Sequence, residues 1–229
     1  MRVKICGITS VEDAHQAVQA GADAIGLNFY AGPRQIDLST GAAILDSLPP
    51  FVTPVALIGV AGDQIDDDLL TMLIRGRVNL LQVHGDAAIG MMTRLSEVGF
   101  AIIQPLAVRE STFADTPSFV DGRWWRPTAV ILDTYDASSA GGTGKAFCWD
   151  WVDQARKNGR LDGWPPIILA GGLNPDNVAD AIRIVRPWAV DVSSGVESQG
   201  TPGRKDPGKV RAFVRAARTA FERNTECDG

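Results

Sequence analysis

Ile167-Ile168-Leu169-Ala170-Gly171-Gly172-Leu173-Asn174-Pro175 and, about twenty residues on, Ala189-Val190-Asp191-Val192-Ser193-Ser194-Gly195-Val196-Glu197 are the stretches that decide how this chain folds. Each is a short apolar run that stops abruptly in small residues and is followed by the signals of a helix start. Continuous rather than alternating apolarity marks a strand buried on both faces, the habit of parallel sheets. Two such glycine-rich strand ends in succession can set backbone N–H groups around one phosphate, and in a parallel barrel that place is the loops after the seventh and eighth strands. A phosphorylated small-molecule substrate is therefore expected, with Gly171, Gly172, Ser194 and Gly195 as the phosphate-binding residues.

Working outward, six further apolar runs precede these two, at residues 3–6, 24–27, 53–60, 80–83, 101–106 and 129–132. Amphipathic segments lie between them at 11–20, 41–47, 65–75, 88–98, 149–158 and 178–186, with a last one from Pro207 onward and the faintest at 111–121. Ser10 before Val11, with Glu12 and Asp13 in the first turn, is an N-terminal capping signal, and Asn174-Pro175-Asp176 before Val178 is another. Eight strands, each with a following helix, predict an α/β fold of the (β/α)8 TIM-barrel type, in a single domain over 1–229. A doubly wound open sheet would use fewer strands. The polar segments 138–145 and 198–206 are expected to be long loops on the substrate side.

Composition narrows the function. With a net charge of −5 over 229 residues and no basic face, nucleic-acid binding is not expected. The arginines Arg211, Arg215, Arg218 and Arg223 fall at helical spacing and read as a solvated face. Three scattered cysteines and two histidines provide neither a disulfide framework nor a zinc-ligand spacing. No run approaches the ~20 apolar residues of a membrane span, and the chain passes from Met1-Arg2 directly into a strand. A cytoplasmic protein without a metal is the expectation.

Candidate chemistry collects at the strand ends. Cys6 closes the first strand before Gly7, where a thiolate could be stabilised as a base, although a small buried hydrophobe is the plainer alternative. Asp133 follows Val130-Ile131-Leu132 and is either a cap or a rim carboxyl with a raised pKa, suited to general-acid work. Arg34 at the same rim would suit a substrate carboxylate by bidentate pairing. His84 is read as a hydrogen-bonded rim histidine or cap, and Asp191 as either structural or orienting a sugar hydroxyl. Gly141-Gly142-Thr143-Gly144-Lys145 fails as a nucleotide-binding loop, since Ser139 replaces its first glycine and Ala146 its Ser/Thr. Trp124-Trp125 is read as packing at the opposite end of the barrel.

Read together, Lys4-Ile5-Cys6-Gly7-Ile8-Thr9, Ala20-Gly21-Ala22-Asp23-Ala24-Ile25-Gly26, Pro33-Arg34, Leu81-Gln82-Val83-His84-Gly85-Asp86, Leu132-Asp133, Leu169-Ala170-Gly171-Gly172-Leu173-Asn174-Pro175, Val190-Asp191-Val192-Ser193-Ser194-Gly195-Val196-Glu197 and Lys205-Asp206 resemble the phosphoribosylanthranilate isomerase family of tryptophan biosynthesis along essentially the whole chain. The resemblance implies an Amadori rearrangement of N-(5-phosphoribosyl)anthranilate to 1-(2-carboxyphenylamino)-1-deoxyribulose 5-phosphate, without metal or organic cofactor, in a monomer or homodimer. It implies that Asp133 is the general acid, Cys6 the base, and Arg34 the partner of the anthranilate carboxylate. Backbone amides at Gly171-Gly172 and Ser194-Gly195 would hold the phosphate. The chain departs from the family pattern at Phe29-Tyr30-Ala31-Gly32-Pro33-Arg34-Gln35, a shorter loop lacking a lysine and a serine and carrying Gln35 in place of an aromatic residue. Two other readings are a related barrel isomerase of histidine biosynthesis, which would carry paired aspartates where this first strand ends in Cys6, and a non-catalytic phosphosugar-binding barrel.

Overall fold

Every apolar run forms a strand. The computed structural model describes residues 1–60, 65–85, 89–109, 111–113, 126–134 and 146–227. Its strands are β1 (Arg2–Cys6), β2 (Ala24–Asn28), β3 (Thr53–Gly59), β4 (Leu80–His84), β5 (Ala101–Val108), β6 (Ala129–Thr134), β7 (Ile167–Leu169) and β8 (Ala189–Val192). They pair in sequence order, all parallel, and β8 returns to β1 to close the barrel. Among the described residues the helices are α1 (Val11–Gln19), α2 (Leu38–Ser47), α3 (Asp67–Arg75), α4 (Ile89–Glu97), α5 (Asp150–Lys157), α6 (Val178–Val185) and α7 (Pro207–Cys227), with a 3-10 turn at Ser194–Val196 after β8. Residues 111–113 form a turn, and the rest of the 111–121 segment lies outside the described residues. None of the helices is long and apolar enough to cross a membrane among the described residues.

Strand residues alternate between two apolar environments. Val3, Ile5, Ile25, Leu27, Ile58, Leu81, Val130, Leu132 and Val190 face the helices and pack with Ala14, Ile44, Leu73, Val152, Ile182 and Phe213 in one shell. Val55, Ile103, Ala129, Ile131, Ile168, Ala170 and Ala189 form a second cluster inside the barrel. Burying each large aliphatic side chain favours folding by about 1.5–3 kcal/mol. Because both faces are covered, the strands read as unbroken apolar runs.

Local rules set the boundaries. Ser10 accepts a hydrogen bond from the Asp13 N–H at 3.1 Å, as its capping signal predicts. Asp37 accepts from the Thr40 N–H at 2.7 Å, so α2 begins at Leu38, three residues ahead of expectation. Asp66 accepts from the Asp68 and Leu69 N–H groups and starts α3 at Asp67 rather than at Ile65. Strand β5 continues past Leu106 to Val108 despite Pro105. That proline lies beyond the last pair with β4, Gln82 with Ile103, where a missing N–H costs no ladder bond on that side.

The loop after β7 is held by its own side chains. Asn174 Oδ1 accepts from the Asp176 and Asn177 N–H groups, and Asn177 donates through Nδ2 to the Gly172 carbonyl at 2.9 Å. The capping signal read at Asn174-Pro175-Asp176 falls one turn early: Asn174 caps the turn at 175–177, while α6 starts after Asn177, whose side chain holds the Gly172 carbonyl instead of capping the helix.

Candidate active site

The inside of the barrel changes character toward the C-terminal ends of its strands. Lys4 on β1 is 4% exposed, and its ammonium donates to Asp191 Oδ1 on β8 at 2.8 Å and to Gln82 Oε1 on β4 at 3.3 Å. Strands β1 and β4 are not neighbours, so this contact spans the interior. Gln82 in turn bonds to Nε2 of His84 at 3.0 Å. Since the Gln82 oxygen is taken by Lys4, its amide nitrogen is the donor, which assigns the imidazole proton to Nδ1. Burial first, and then the Lys4 charge, lower the His84 pKa to about 4, keeping the ring neutral. Tyr30 stacks on that ring with centroids 5.8 Å apart and planes within 14°. Gly59 leaves the space for Tyr30, because a Cβ there would lie inside the phenol ring.

Cys6 is buried, two residues along β1 from Lys4. Its register partner on β2 is Gly26, where a Cβ would come within 2.7 Å of Sγ. Burial pushes the Cys6 thiol up, while the nearby ammonium groups of Lys4 and Lys205 draw it down, Lys4 through a hydrogen bond as well. Asp133 sits within β6 rather than after it, one residue from its end. Burial raises its pKa against the opposing bond that Oδ1 accepts from the Thr134 N–H at 2.7 Å. Gly171, at φ +80°, brings the β7 loop against this carboxyl. A Cβ would stand 2.4 Å from Thr134 Oγ1 and 3.1 Å from Asp133 Oδ1, so only glycine fits.

Arg34 is already engaged. Its Nε and Nη2 donate to Oε1 and Oε2 of Glu197 at 2.6 and 2.8 Å, which uses two of the five guanidinium N–H groups. Gly7, at φ +68°, passes beneath the arginine stem; a Cβ would meet Cδ at 2.5 Å. Glu197 also accepts from Lys205 Nζ at 3.0 Å and from the Gly203 N–H at 3.1 Å. Burial would raise the Glu197 pKa, but the bonds from Arg34 and the charge of Lys205 outweigh it and hold the carboxyl at about 2.

Asp133, Thr134, Gly171, Gly172, Asp191, Ser193 and Ser194 line a polar pocket of about 50 Å³. Gly195 is not part of the lining. Its Cα abuts the Leu173 carbonyl, where a Cβ would stand 1.9 Å away, so it locks the β8 loop onto the β7 loop. The residues expected at the site, Cys6, Arg34, His84, Asp133, Gly171, Gly172, Asp191, Ser194 and Gly195, thus come from β1, β4, β6, β8 and the loops after β2, β7 and β8 to one rim. Trp124-Trp125, Asp86 and the 141–145 segment lie outside the described residues. Sequence reasoning did not single out Lys4, Gln82, Glu197 or Lys205. The available signal was a lysine two residues from Cys6 inside an otherwise apolar strand, hence on the same face.

Fold and rim define the class first: a (β/α)8-barrel enzyme whose titratable groups meet at the C-terminal ends of the strands. A family model described as N-(5'phosphoribosyl)anthranilate (PRA) isomerase matches residues 3–216, and the chain belongs to that family. It is 44% identical to the N-(5'-phosphoribosyl)anthranilate isomerase of Trichlorobacter lovleyi over 96% of this chain and 100% of that one. It is likewise 44% identical to that of Pseudomonas fluorescens, over 97% and 98%. Among solved structures, the phosphoribosyl anthranilate isomerase of Thermotoga maritima superposes with a TM-score of 0.79 at 35% identity, covering 96% of this chain and 99% of the other. Another, at 32% identity and a TM-score of 0.73 over 96% and 99%, is a complex with reduced 1-(o-carboxyphenylamino)-1-deoxyribulose 5-phosphate.

Proposed function

We propose that this chain converts N-(5-phosphoribosyl)anthranilate into 1-(2-carboxyphenylamino)-1-deoxyribulose 5-phosphate, with Asp133 as general acid and Cys6 as general base. The observation that carries the assignment is the meeting, on one rim, of a desolvated carboxyl, a desolvated thiol and the Gly171-Gly172 strand end. Asp133 gives its proton to the furanose ring oxygen as the C1′–O bond breaks, and the nitrogen lone pair forms the protonated Schiff base. The Cys6 thiolate removes the C2′ proton. That electron pair forms the C1′=C2′ bond while the imine pair returns to nitrogen, and the enolamine tautomerises to the ketose. Backbone amides at Gly171, Gly172, Ser194 and Gly195 hold the phosphate, and the remaining N–H groups of Arg34 receive the anthranilate carboxylate. His84 and Asp191 orient the sugar between them.

The proposal takes residues 1–229 as one catalytic domain, a monomer or homodimer, acting without metal or organic cofactor. It also takes the cytoplasm as the compartment, where Cys6 stays a free thiol. Burial favours the protonated form of both groups, which suits the acid and makes the thiolate a minority species supported by Lys4. The active form, acid protonated and base not, is then a constant share of the enzyme between the two pKa values. Accordingly kcat/KM is expected to be level there, falling at low pH with Asp133 and at high pH with Cys6. The deciding experiment mixes purified protein with freshly generated phosphoribosylanthranilate and follows loss of anthranilate-type fluorescence, beside Cys6→Ala. Fast decay absent from the variant is the expected result; decay no faster than spontaneous hydrolysis of the substrate overturns the assignment.

A further inference from the structure

A second buried cluster lies beside the rim, and none of its members gives or takes a proton in the reaction. Lys205 is about 1% exposed, and its ammonium donates to Glu197 Oε1 at 3.0 Å and to the Ser193 carbonyl and hydroxyl at 3.2 and 3.5 Å. Its backbone N–H is fixed by Asp13 Oδ2 at 3.1 Å, from the first turn of α1. Glu197, 7% exposed, holds Arg34 through both carboxylate oxygens. One unbroken chain of contacts therefore runs from Ser193, in the lining of the polar pocket, through Lys205 and Glu197 to the guanidinium of Arg34.

The charges explain why the chain needs all three members. A bidentate carboxylate alone would fix the guanidinium plane but cancel its charge, leaving little attraction for a second carboxylate. Arg34 and Lys205 together carry two positive charges against one on Glu197, so the clamped arginine keeps a surplus for an anion. Both oxygens of Glu197 are bonded, and Oε1 takes three donors, from Arg34, Lys205 and Gly203. A carboxylate so saturated has little capacity left to compete with a ligand for the free N–H groups of Arg34. The clamp also replaces side-chain freedom that an unsupported arginine would lose on binding.

We infer that Glu197 and Lys205 are positioning residues for carboxylate recognition: Glu197 presents Arg34 in a fixed plane, and Lys205 keeps the pair net positive while linking it to the Ser193 loop. This inference rests on the proposed role of Arg34 toward the anthranilate carboxylate. It is tested with two probes, the reduced product 1-(o-carboxyphenylamino)-1-deoxyribulose 5-phosphate and its phenylamino counterpart lacking the carboxyl, bound to wild type, Arg34→Met, Glu197→Gln, Glu197→Asp and Lys205→Met. Glu197→Gln and Lys205→Met should each weaken the carboxylated probe about tenfold or more and the other less than threefold, the size expected when a buried charge pair is broken. Glu197→Asp keeps the charge but retracts it by one methylene, and carries the same selective loss if Glu197→Gln fails to fold. Equal loss of both probes in the Glu197 and Lys205 variants, beside a selective loss in Arg34→Met, overturns this inference alone. Equal loss of both probes in Arg34→Met overturns the assignment of Arg34 instead.

Discussion

The barrel interior is filled by two different kinds of matter along its axis. Toward the N-terminal ends of the strands, Val55, Ile103, Ala129, Ile131, Ile168 and Ala189 pack against one another with no polar atom to satisfy. Toward the C-terminal ends the same inward positions hold Lys4, Cys6, Gln82, His84, Asp133 and Asp191. The lower half is stabilised by area removed from water, and a change there is felt as lost volume. The upper half carries desolvated titratable groups: burial keeps His84 neutral and favours the protonated forms of Cys6 and Asp133, while Lys4 and Asp191 are held as a 2.8 Å pair. Strands of six and four residues serve both purposes, β6 with Ala129 and Ile131 below Asp133 and β8 with Ala189 below Asp191, because successive inward residues lie in different layers.

The largest expected difference between the halves is in activity. Asp133→Asn should lower kcat/KM by about 10²–10⁴-fold, the usual weight of a general acid. Its thermal midpoint should stay level or rise, since the substitution removes a carboxylate whose ionisation burial opposes. Fluorescence turnover and thermal unfolding on the same sample check both parts. Retained activity within tenfold of wild type would remove Asp133 from the mechanism.

Next in size come two stability losses of similar magnitude but opposite origin. Ile131→Ala leaves a cavity in the lower cluster and should cost about 2–5 kcal/mol. Lys4→Met leaves Asp191 buried without its 2.8 Å partner and should cost about 3–5 kcal/mol. The two separate on a second change. Adding Asp191→Leu to Lys4→Met is expected to restore most of the stability, because two apolar groups replace two charges, while leaving turnover impaired. Denaturant unfolding of the single and double variants reads this directly. If the double variant is less stable than Lys4→Met, the ion pair is a true stabiliser and the two halves of the barrel differ less in what holds them together.

How legible the two halves were follows from the same physics. The strands were readable because residues covered on both faces leave continuous apolar runs, and all eight start and end within two residues of expectation. The glycine-ended loops were readable because Gly171 and Gly172 adopt positive φ, which the sequence announces by the residue type itself. Helix starts at Leu38 and Asp67 were displaced because polar residues in the first turn, Ser39-Thr40 after Asp37 and Asp67-Asp68 after Asp66, blur the onset of the apolar period. The ion network was not readable. Lys4 and Asp191 are 187 positions apart, and Arg34 and Glu197 are 163 apart, and no local pattern encodes a pairing that only barrel closure creates. Arg34 was expected free for a ligand; its clamp by Glu197 came from the fold.

Acid should separate the halves again, and more gently. His84 has its folded pKa lowered to about 4 from 6.5, so its contribution is whole above pH 6.5 and drains as pH falls toward 4. Glu197 is depressed to about 2 from 4.5, so its contribution persists above pH 4.5 and is lost as pH falls toward 2. The lower cluster titrates nowhere in this range. Urea midpoints measured from pH 7 to pH 3 should therefore fall in two stages, and His84→Asn should flatten the first while leaving the second. An unchanged first stage in that variant would show that another group carries the decline.

The smallest effect belongs to an ion pair on the outside. Lys157 and Asp153 approach to 2.6 Å across one turn of α5, closer than Lys4 and Asp191, yet the lysine is 72% exposed and the aspartate 29%. Water screens such a pair and both side chains lose freedom to form it, so Lys157→Ala should change stability by no more than about 0.5 kcal/mol and by less in 0.5 M salt. Distance alone would rank this pair above the buried one. Its expected insignificance beside Lys4→Met isolates burial as the quantity that makes the upper barrel sensitive, and a loss above about 1 kcal/mol in Lys157→Ala would say that geometry, rather than desolvation, governs these contacts.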